Sequence, residues 1–237
     1  WSGVDYLGES GIGRFFGPGE VVRPHWEGNH YPWYGALCGD IDIVGQRKPF
    51  SHYRNIVWNR GEKLYMSVHI PNVEERNWRP SKWSQSPSES HWTWPKQNDK
   101  NLTVEVYSRY PTVRLYLNED LIGEQNVTSD TEYRCTFNTP YHPGVLTVEG
   151  IEDREVMESF ELRTAGEPAS LRLKPDRTQI RADRQDLSFI AVEVLDENGE
   201  VCPEARVPVH YSIDGPGSIA AIGNGDLSTR KSYQANP

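Results

Sequence analysis

The sequence predicts a mainly β protein: two immunoglobulin-like antiparallel β-sandwiches behind one short helical segment. Three observations carry this. Six runs between residues 64 and 162 alternate apolar and polar residues with a period of two, the mark of half-buried strands. Clusters of Asn, Asp, Pro and Gly separate those runs at short intervals. Apolar residues at helical spacing appear ahead of all of them, over residues 49–58.

The elements follow in three blocks. Residues 1–61 form the first, which opens on WSGVDYLGES. Gly and Pro are dense from 8 to 32, but aromatic residues punctuate the stretch, so it reads as a long ordered loop. A turn at GQRK (45–48) leads into PFSHYRNIVW, where Phe50, Tyr53, Ile56 and Val57 share one helix face. Pro49 suits the first helical turn, and Asn59-Arg60-Gly61 is a stop signal with Gly61 expected as the cap. The second block, 62–164, holds strands at LYMSVHI (64–70), LTVEVY (102–107), VRLYL (113–117), YRCTF (133–137), VLTVE (145–149) and ESFEL (158–162). Turns are read at NED (118–120), NTP (138–140) and YHPG (141–144). The third block, 165–237, follows a hinge-like linker, TAGEP (164–168). It has strand patterns at LRLK (171–174), LSFIAVEVL (187–195) and VPVHY (207–211), with a hairpin turn at DENG (196–199). Four or five strands are fewer than the roughly seven an independent sandwich uses. The third block therefore looks cut short, or it borrows strands from elsewhere.

Composition excludes several functions. A net charge of −9 is wrong for binding nucleic acid phosphates. No apolar run approaches the roughly 20 residues that span a bilayer. Cys38, Cys135 and Cys202 have no metal-ligand spacing and read as small buried residues, with one long-range disulfide as the alternative. His25, His30, His52, His69, His91, His142 and His210 show no ligand spacing either. Asn101-Leu-Thr and Asn126-Val-Thr match the glycosylation pattern, which matters only in a secreted eukaryotic chain. No phosphate loop, GxSxG elbow or HExxH occurs.

The aromatic residues are the informative ones. All eight Trp precede residue 95. Sugars stack their C–H faces on indole rings and take hydrogen bonds from Asp, Glu, Asn and Arg. Trp1, Asp5, Tyr6, Glu9, Trp26, His30, Trp33 and Tyr34 supply that chemistry, and core packing is the competing reading. A second Trp-rich stretch, NWRPSKWSQSPSESHWTWP (77–95), has the same two readings: a carbohydrate platform, or aromatic packing. Trp92 and Trp94, two residues apart, are expected to share a face.

WSGVDYLGE (1–9) and YPWYGALCGDIDIVGQRKPFSHYRNIVW (31–58) resemble the last strand, loop and helix of the catalytic (β/α)8 barrel in family 2 glycoside hydrolases, of the bacterial β-galactosidase type. VRLYLNEDLIGEQ (113–125) and YHPGVLTVEG (141–150) are similar to the sandwich that follows that barrel. The stretch 162–205 and IAAIGNGD (219–226) resemble the further immunoglobulin-like domain behind it, the latter as a late strand and turn.

The resemblance implies a retaining exo-glycosidase that hydrolyses terminal β-D-galactosides. Such enzymes use two Glu carboxyls about 5–5.5 Å apart, one a nucleophile and one an acid/base. Both lie on barrel strands before the last, so both are expected upstream of Trp1. No residue of this chain is then catalytic, and Glu9 does not match the family's catalytic positions. Trp1 matches the family's sugar platform at the end of the last barrel strand, where barrel active sites lie. Asp5 and His30 are further candidates for substrate contact. β-Glucuronidases carry an Asn-x-Lys element in this loop; here Asn29 is followed two residues on by Tyr31, which favours a neutral sugar. The resemblance implies no cofactor in this chain, and sodium or magnesium near the active site in some members. It also implies a carbohydrate partner, no nucleic acid or membrane partner, and a homo-oligomer. Breakdown of plant or host glycans would place the protein in the periplasm or outside the cell. The competing reading is a non-catalytic glycan-binding or structural immunoglobulin-like module.

Overall fold

The structure, a computed structural model, describes residues 39–42, 44–73, 87–224 and 232–234, with the backbone alone at 6–7, 14–15, 35–36 and 78–79. In chain order its elements are β1 (Tyr6–Leu7), β2 (Arg14–Phe15), β3 (Gly35–Ala36), α1 (Pro49–Val57), β4 (Leu64–His69), β5 (Trp78–Arg79) and β6 (Ser88–Glu89). They continue with β7 (Asn101–Ser108), β8 (Thr112–Leu117), β9 (Asp120–Asn126), β10 (Arg134–Pro140), β11 (Val145–Glu152) and β12 (Glu155–Arg163). The last two are β13 (Ser170–Pro175) and β14 (Ile190–Leu195).

Two four-stranded antiparallel sheets, ordered β10-β7-β4-β6 and β12-β11-β8-β9, face each other. Alternation places Leu64, Met66 and Val68 of β4, and Leu102, Val104 and Val106 of β7, on the inner face of the first sheet. Val113, Leu115 and Leu117 of β8, and Leu146 and Val148 of β11, meet them from the second. This is the sandwich that the period-two runs predict. Two tight turns complete it. Asn118 and Glu119 (φ +51° and +73°) close β8 onto β9, and Asp153 and Arg154 (φ +51° and +69°) close β11 onto β12. Paired left-handed residues are the two-residue hairpin that matches strand twist. Gly144 is required beside the first of these turns, because a Cβ there would fall 1.7 Å from the Asn118 side chain.

β9 is absent from the sequence reading. Its apolar residues, Leu121 and Ile122, are adjacent rather than alternate, and the ladder shifts register opposite them, between Leu115 and Tyr116. The helix appears where predicted, but its terminus is built differently. Asn59 (φ +53°) takes the left-handed position expected of Gly61. The Arg60 N–H reaches the Asn55 carbonyl at 2.8 Å and the Asn59 N–H reaches that of Ile56 at 3.1 Å, the two bonds of a Schellman motif. Gly61 (φ +97°) continues the turn into the sandwich.

Trp92 and Trp94 both lie in the sandwich core, 0% and 5% exposed. The Trp92 Nε1–H donates to the His142 carbonyl at 2.9 Å, and the ring meets Tyr141 edge-on at 5.0 Å. Packing, not sugar contact, accounts for this pair.

The third block departs most from expectation. Among its described residues the ladder is β13 with β14, extended by a bridge from Leu195 to Val201. Residues 207–211, expected as a strand, pair with nothing in a ladder, and neither do 219–222. The hairpin turn at 196–199 forms as predicted, with the Gly199 N–H on the Asp196 carbonyl. Register puts Leu171, Leu173, Pro175, Ile190, Val192 and Val194 on one face and Arg172, Lys174 and Glu193 on the other. Leu171, Leu173 and Ile190 are 52%, 63% and 56% exposed, whereas Val192 and Val194 are half-buried, so this apolar face is covered only in part by the described residues.

Replacing Trp92 by Ala is expected to cost about 3–5 kcal/mol in urea unfolding, the scale of a large core truncation. Trp92→Phe is expected to cost less, yet still about 1–3 kcal/mol, because the His142 carbonyl loses its buried donor. An unchanged unfolding midpoint for both variants would return Trp92 to the surface.

Candidate functional site

Trp1, Asp5 and His30, the residues singled out for substrate contact, lie outside the described residues, as do Glu9, Trp26, Trp33 and Tyr34. What the structure does describe is how the backbone around them is gathered. β1 pairs with β3, Tyr6 opposite Ala36 and Leu7 opposite Gly35, which brings together the two ends of the loop at 8–32. β2 pairs with β5, Phe15 opposite Trp78, so this loop is joined by backbone to the second Trp-rich stretch. Sequence reading flags both stretches as aromatic-rich but gives no sign that they pair.

The segment that follows is anchored on the sandwich. α1 lies on the outer face of the first sheet. Its Ile56 is fully buried and packs with Tyr65 of β4 and Tyr107 of β7, and Tyr53 borders them, its ring 4.9 Å from that of Tyr107. The His52 ring stacks flat on Tyr65 at 4.0 Å. Charged groups frame this contact. Glu62 accepts from Arg47 at 2.8 and 3.2 Å and lies 3.0 Å from His52 Nδ1. Arg54 meets Asp40 at 2.5 Å. Arg109, from the turn between β7 and β8, donates to the carbonyls of Ile56 and Val57 at 3.3 and 3.2 Å. Its guanidinium also sits over the Tyr133 ring at 4.5 Å. A cation thus satisfies carbonyls at the negative end of the helix.

The ionisable groups beneath α1 are held in fixed states. Burial would raise the Glu105 carboxyl, but hydrogen bonds from His69 at 3.2 Å and the Tyr107 hydroxyl at 2.9 Å keep it below the usual range. Burial, with Glu105 beside it, pushes the Tyr107 hydroxyl up. Burial lowers His52 against the opposing pull of Glu62. On the inner face of the same sheet, burial pushes the Cys135 thiol up to about 12, which leaves no thiolate at neutral pH. Among the described residues no group of three or more His, Cys, Asp or Glu could hold a metal ion. Nor is any described helix long and apolar enough to cross a membrane. The surroundings of α1 are those of an anchor.

Two predictions follow from this geometry. Arg109→Ala should speed exchange of the Asn55–Arg60 amides, at a cost of about 1–2 kcal/mol for a partly buried charge at a helix terminus. Arg109→Lys should recover only part, because an ammonium lacks the planar guanidinium that lies over Tyr133 while one of its nitrogens donates to both carbonyls. Exchange rates equal to the parent chain's would refute the cap. The second concerns His91, which burial lowers to about 4 beside Trp94. The unfolded chain protonates this ring near 6.5, so its contribution is full above that pH and is lost as pH falls toward 4. Urea unfolding should show a loss approaching 3 kcal/mol across that window, at about 1.4 kcal/mol per pH unit. His91→Gln should flatten that slope in part, and an identical slope would sink the assignment.

Comparison with known proteins places the architecture. Residues 171–237 match the family model described as glycoside hydrolase family 2 C-terminal domain 5, and residues 99–158 match a domain of unknown function. The chain is 29% identical over 226 residues to a β-galactosidase, BoGH2A, of Bacteroides ovatus, covering 95% of this chain and 22% of that protein. It is 32% identical over 166 residues to a β-glucuronidase of Formosa agariphila, covering 67% of this chain and 16% of that protein. The crystal structure of a family 2 glycosyl hydrolase from Bacteroides cellulosilyticus superposes on all of this chain, with a TM-score of 0.86 and 31% identity, over 30% of its own length. This chain thus spans about a fifth of the curated relatives and under a third of that crystal structure. Sequence and fold agree along its full length: the chain is a C-terminal portion of the kind found in glycoside hydrolase family 2.

Proposed function

We propose that this chain is the non-catalytic C-terminal part of a retaining exo-glycosidase that hydrolyses terminal β-D-galactosides, with both catalytic glutamates upstream of Trp1. The observation that carries this reading is the 29% identity to a β-galactosidase over 95% of the chain, within 22% of that protein's length. A double displacement needs two carboxyls about 5–5.5 Å apart on one sugar-binding cleft. The described residues form an anchor and a sandwich core instead. In the full enzyme the sandwich holds α1, and with it the strand–loop segment bearing Trp1, Asp5 and His30. Trp1 supplies the apolar platform for the sugar, and Asp5 and His30 are candidates for its hydroxyls. The β-glucuronidase relative raises the other sugar. Asn29 without a Lys at position 31 supports the neutral one, because Asn-His-Tyr holds no Lys or Arg to offer a carboxylate a permanent cation.

The glycan-binding module is the weaker reading. It rests on the Trp-rich stretch 77–95, of which Trp92 and Trp94 are committed to the core, the Trp92 indole N–H given to the His142 carbonyl, and the Trp78 and Trp83 side chains lie outside the described ones.

An assay on a chromogenic β-galactoside tests the proposal. The isolated chain is expected to give no turnover, and any turnover by the pure chain would place the catalytic groups inside it. The full-length protein is expected to hydrolyse the β-galactoside in preference to the β-glucuronide; the reverse preference would overturn the choice of sugar. In the full-length protein, Trp1→Ala should lower kcat/KM by about tenfold, the scale of losing roughly 1.5 kcal/mol of aromatic contact in the transition state.

A further inference from the structure

We infer that residues 164–166 are not a hinge but a rigid strut, and that the Asp196 carboxylate is the pin fixing the β13–β14 hairpin against the sandwich. A hinge needs backbone free to rotate. Here each of the three residues is held by a partner on one side or the other. The Thr164 hydroxyl donates to the Trp92 carbonyl at 2.6 Å, and the Thr164 N–H reaches the Gly144 carbonyl at 2.9 Å. The Ala165 N–H donates to the Thr93 hydroxyl at 2.9 Å. These bonds tie the start of the connection to the WTW stretch, which is itself locked in the core.

The next bond crosses to the third block. The Gly166 N–H donates to Asp196 Oδ2 at 2.8 Å, while Oδ1 accepts the N–H groups of Asn198 and Glu200 at 2.8 and 2.9 Å. One carboxylate thus organises the hairpin turn with one oxygen and grips the connection with the other. Asp196 is only 3% exposed, and charge-assisted bonds of this kind are the stronger ones. The Cys202 thiol lies 3.5 Å from the Gly166 carbonyl, so both backbone polar groups of that residue are held. Beyond it the Ala169 N–H reaches the Leu195 carbonyl at 2.8 Å and starts the β13–β14 ladder. Arg163 adds a looser link to Glu200 at 3.8 Å. Glu167 and Pro168 alone separate these bonded positions, and Pro168 has its φ fixed by its ring. With α1 capped by Arg109, the helix, sandwich and hairpin are one body. This inference rests on the hydrogen bonds alone and is independent of the proposed activity.

The test is ¹⁵N relaxation on the uniformly labelled 237-residue chain. Amides of the sandwich and of residues 170–202 are expected to fit one rotational diffusion tensor. Two tensors, with faster tumbling for 170–202, would overturn the strut. Asp196→Ala should split the single tensor in two, and a tensor that stays single in this variant would remove Asp196 as the pin. Asp196→Ala also endangers the turn. Gly166→Pro breaks the contact from the other side: it replaces the N–H that Asp196 grips by a ring carbon set against Oδ2, and leaves the Asn198 and Glu200 N–H groups in place to hold the turn. It too should split the tensor while the β13–β14 amides stay protected from exchange; a single tensor in Gly166→Pro would likewise refute the pin.

Discussion

The described segment directly ahead of the sandwich, residues 44–61, depends on the seating of α1 across β4 and β7. A nine-residue helix is too short to persist alone in water. It forms here because its Ile56 is fully buried against Tyr65 and Tyr107, a gain of about 1.5–3 kcal/mol for a side chain of that size. Burial alone would let such a helix slide or roll. Directional bonds stop that: Arg109 on the terminal carbonyls, Glu62 on Arg47 and His52, and the Tyr53 hydroxyl on the Glu132 carbonyl at 2.9 Å. The cost of this seating is visible in the sheet. Tyr65 and Ser67, on the outer face of β4, are as buried as the core residues between them.

That double burial explains how much of the molecule was legible in the sequence. Six sandwich strands announce themselves by alternation, because one of their faces meets the core. In β4 the alternation of Tyr65, Ser67 and His69 with Leu64, Met66 and Val68 reads as a wet outer face, and in the structure that face is dry over two of three positions. Alternation reports residue type, and a Tyr hydroxyl or Ser hydroxyl can go under a helix. β9 was lost for the opposite reason. Its adjacent Leu121 and Ile122 break the period where the ladder shifts register. The helix stop was legible as a signal, but the left-handed position went to Asn59, because Asn tolerates that conformation nearly as Gly does. The site was legible only as chemistry. Trp1, Asp5 and His30 are residue types that suit a sugar, and their alignment with a barrel strand and loop comes from resemblance.

The connection to the third block shows where local sequence misleads. TAGEP has the composition of a flexible linker, and composition is what marks linkers. Composition does not record what the backbone is bonded to. Thr93 and Asp196 lie 72 and 30 residues from their partners in it. Small residues suit such a joint, because the Gly166 backbone must come within 2.8 Å of a carboxylate.

The β13–β14 hairpin carries the physical argument one step further. Its two faces are cleanly sorted: Arg172 and Lys174 bind Glu193 at 2.7 and 3.2 Å on one, and six apolar residues line the other. Such sorting is the pattern of a sheet that covers something. The outer edge of β13 is protected against self-pairing. The two longest antiparallel registers that keep apolar side chains on a common face set Arg172 opposite Arg172, or Arg172 opposite Lys174, of a second copy, and like charges directly opposite are destabilising. Val207, Val209, Tyr211 and Ile213 repeat the apolar alternation further along the chain. They form no ladder, and Val207, Tyr211 and Ile213 are 42%, 39% and 54% exposed. Strand pattern is a statement about what a segment can bury, and a strand forms only where a neighbour completes its hydrogen bonds. The sandwich has that neighbour on every inner strand; the third block has it for one pair. The difference between the two lies in pairing, since their sequence patterns are alike.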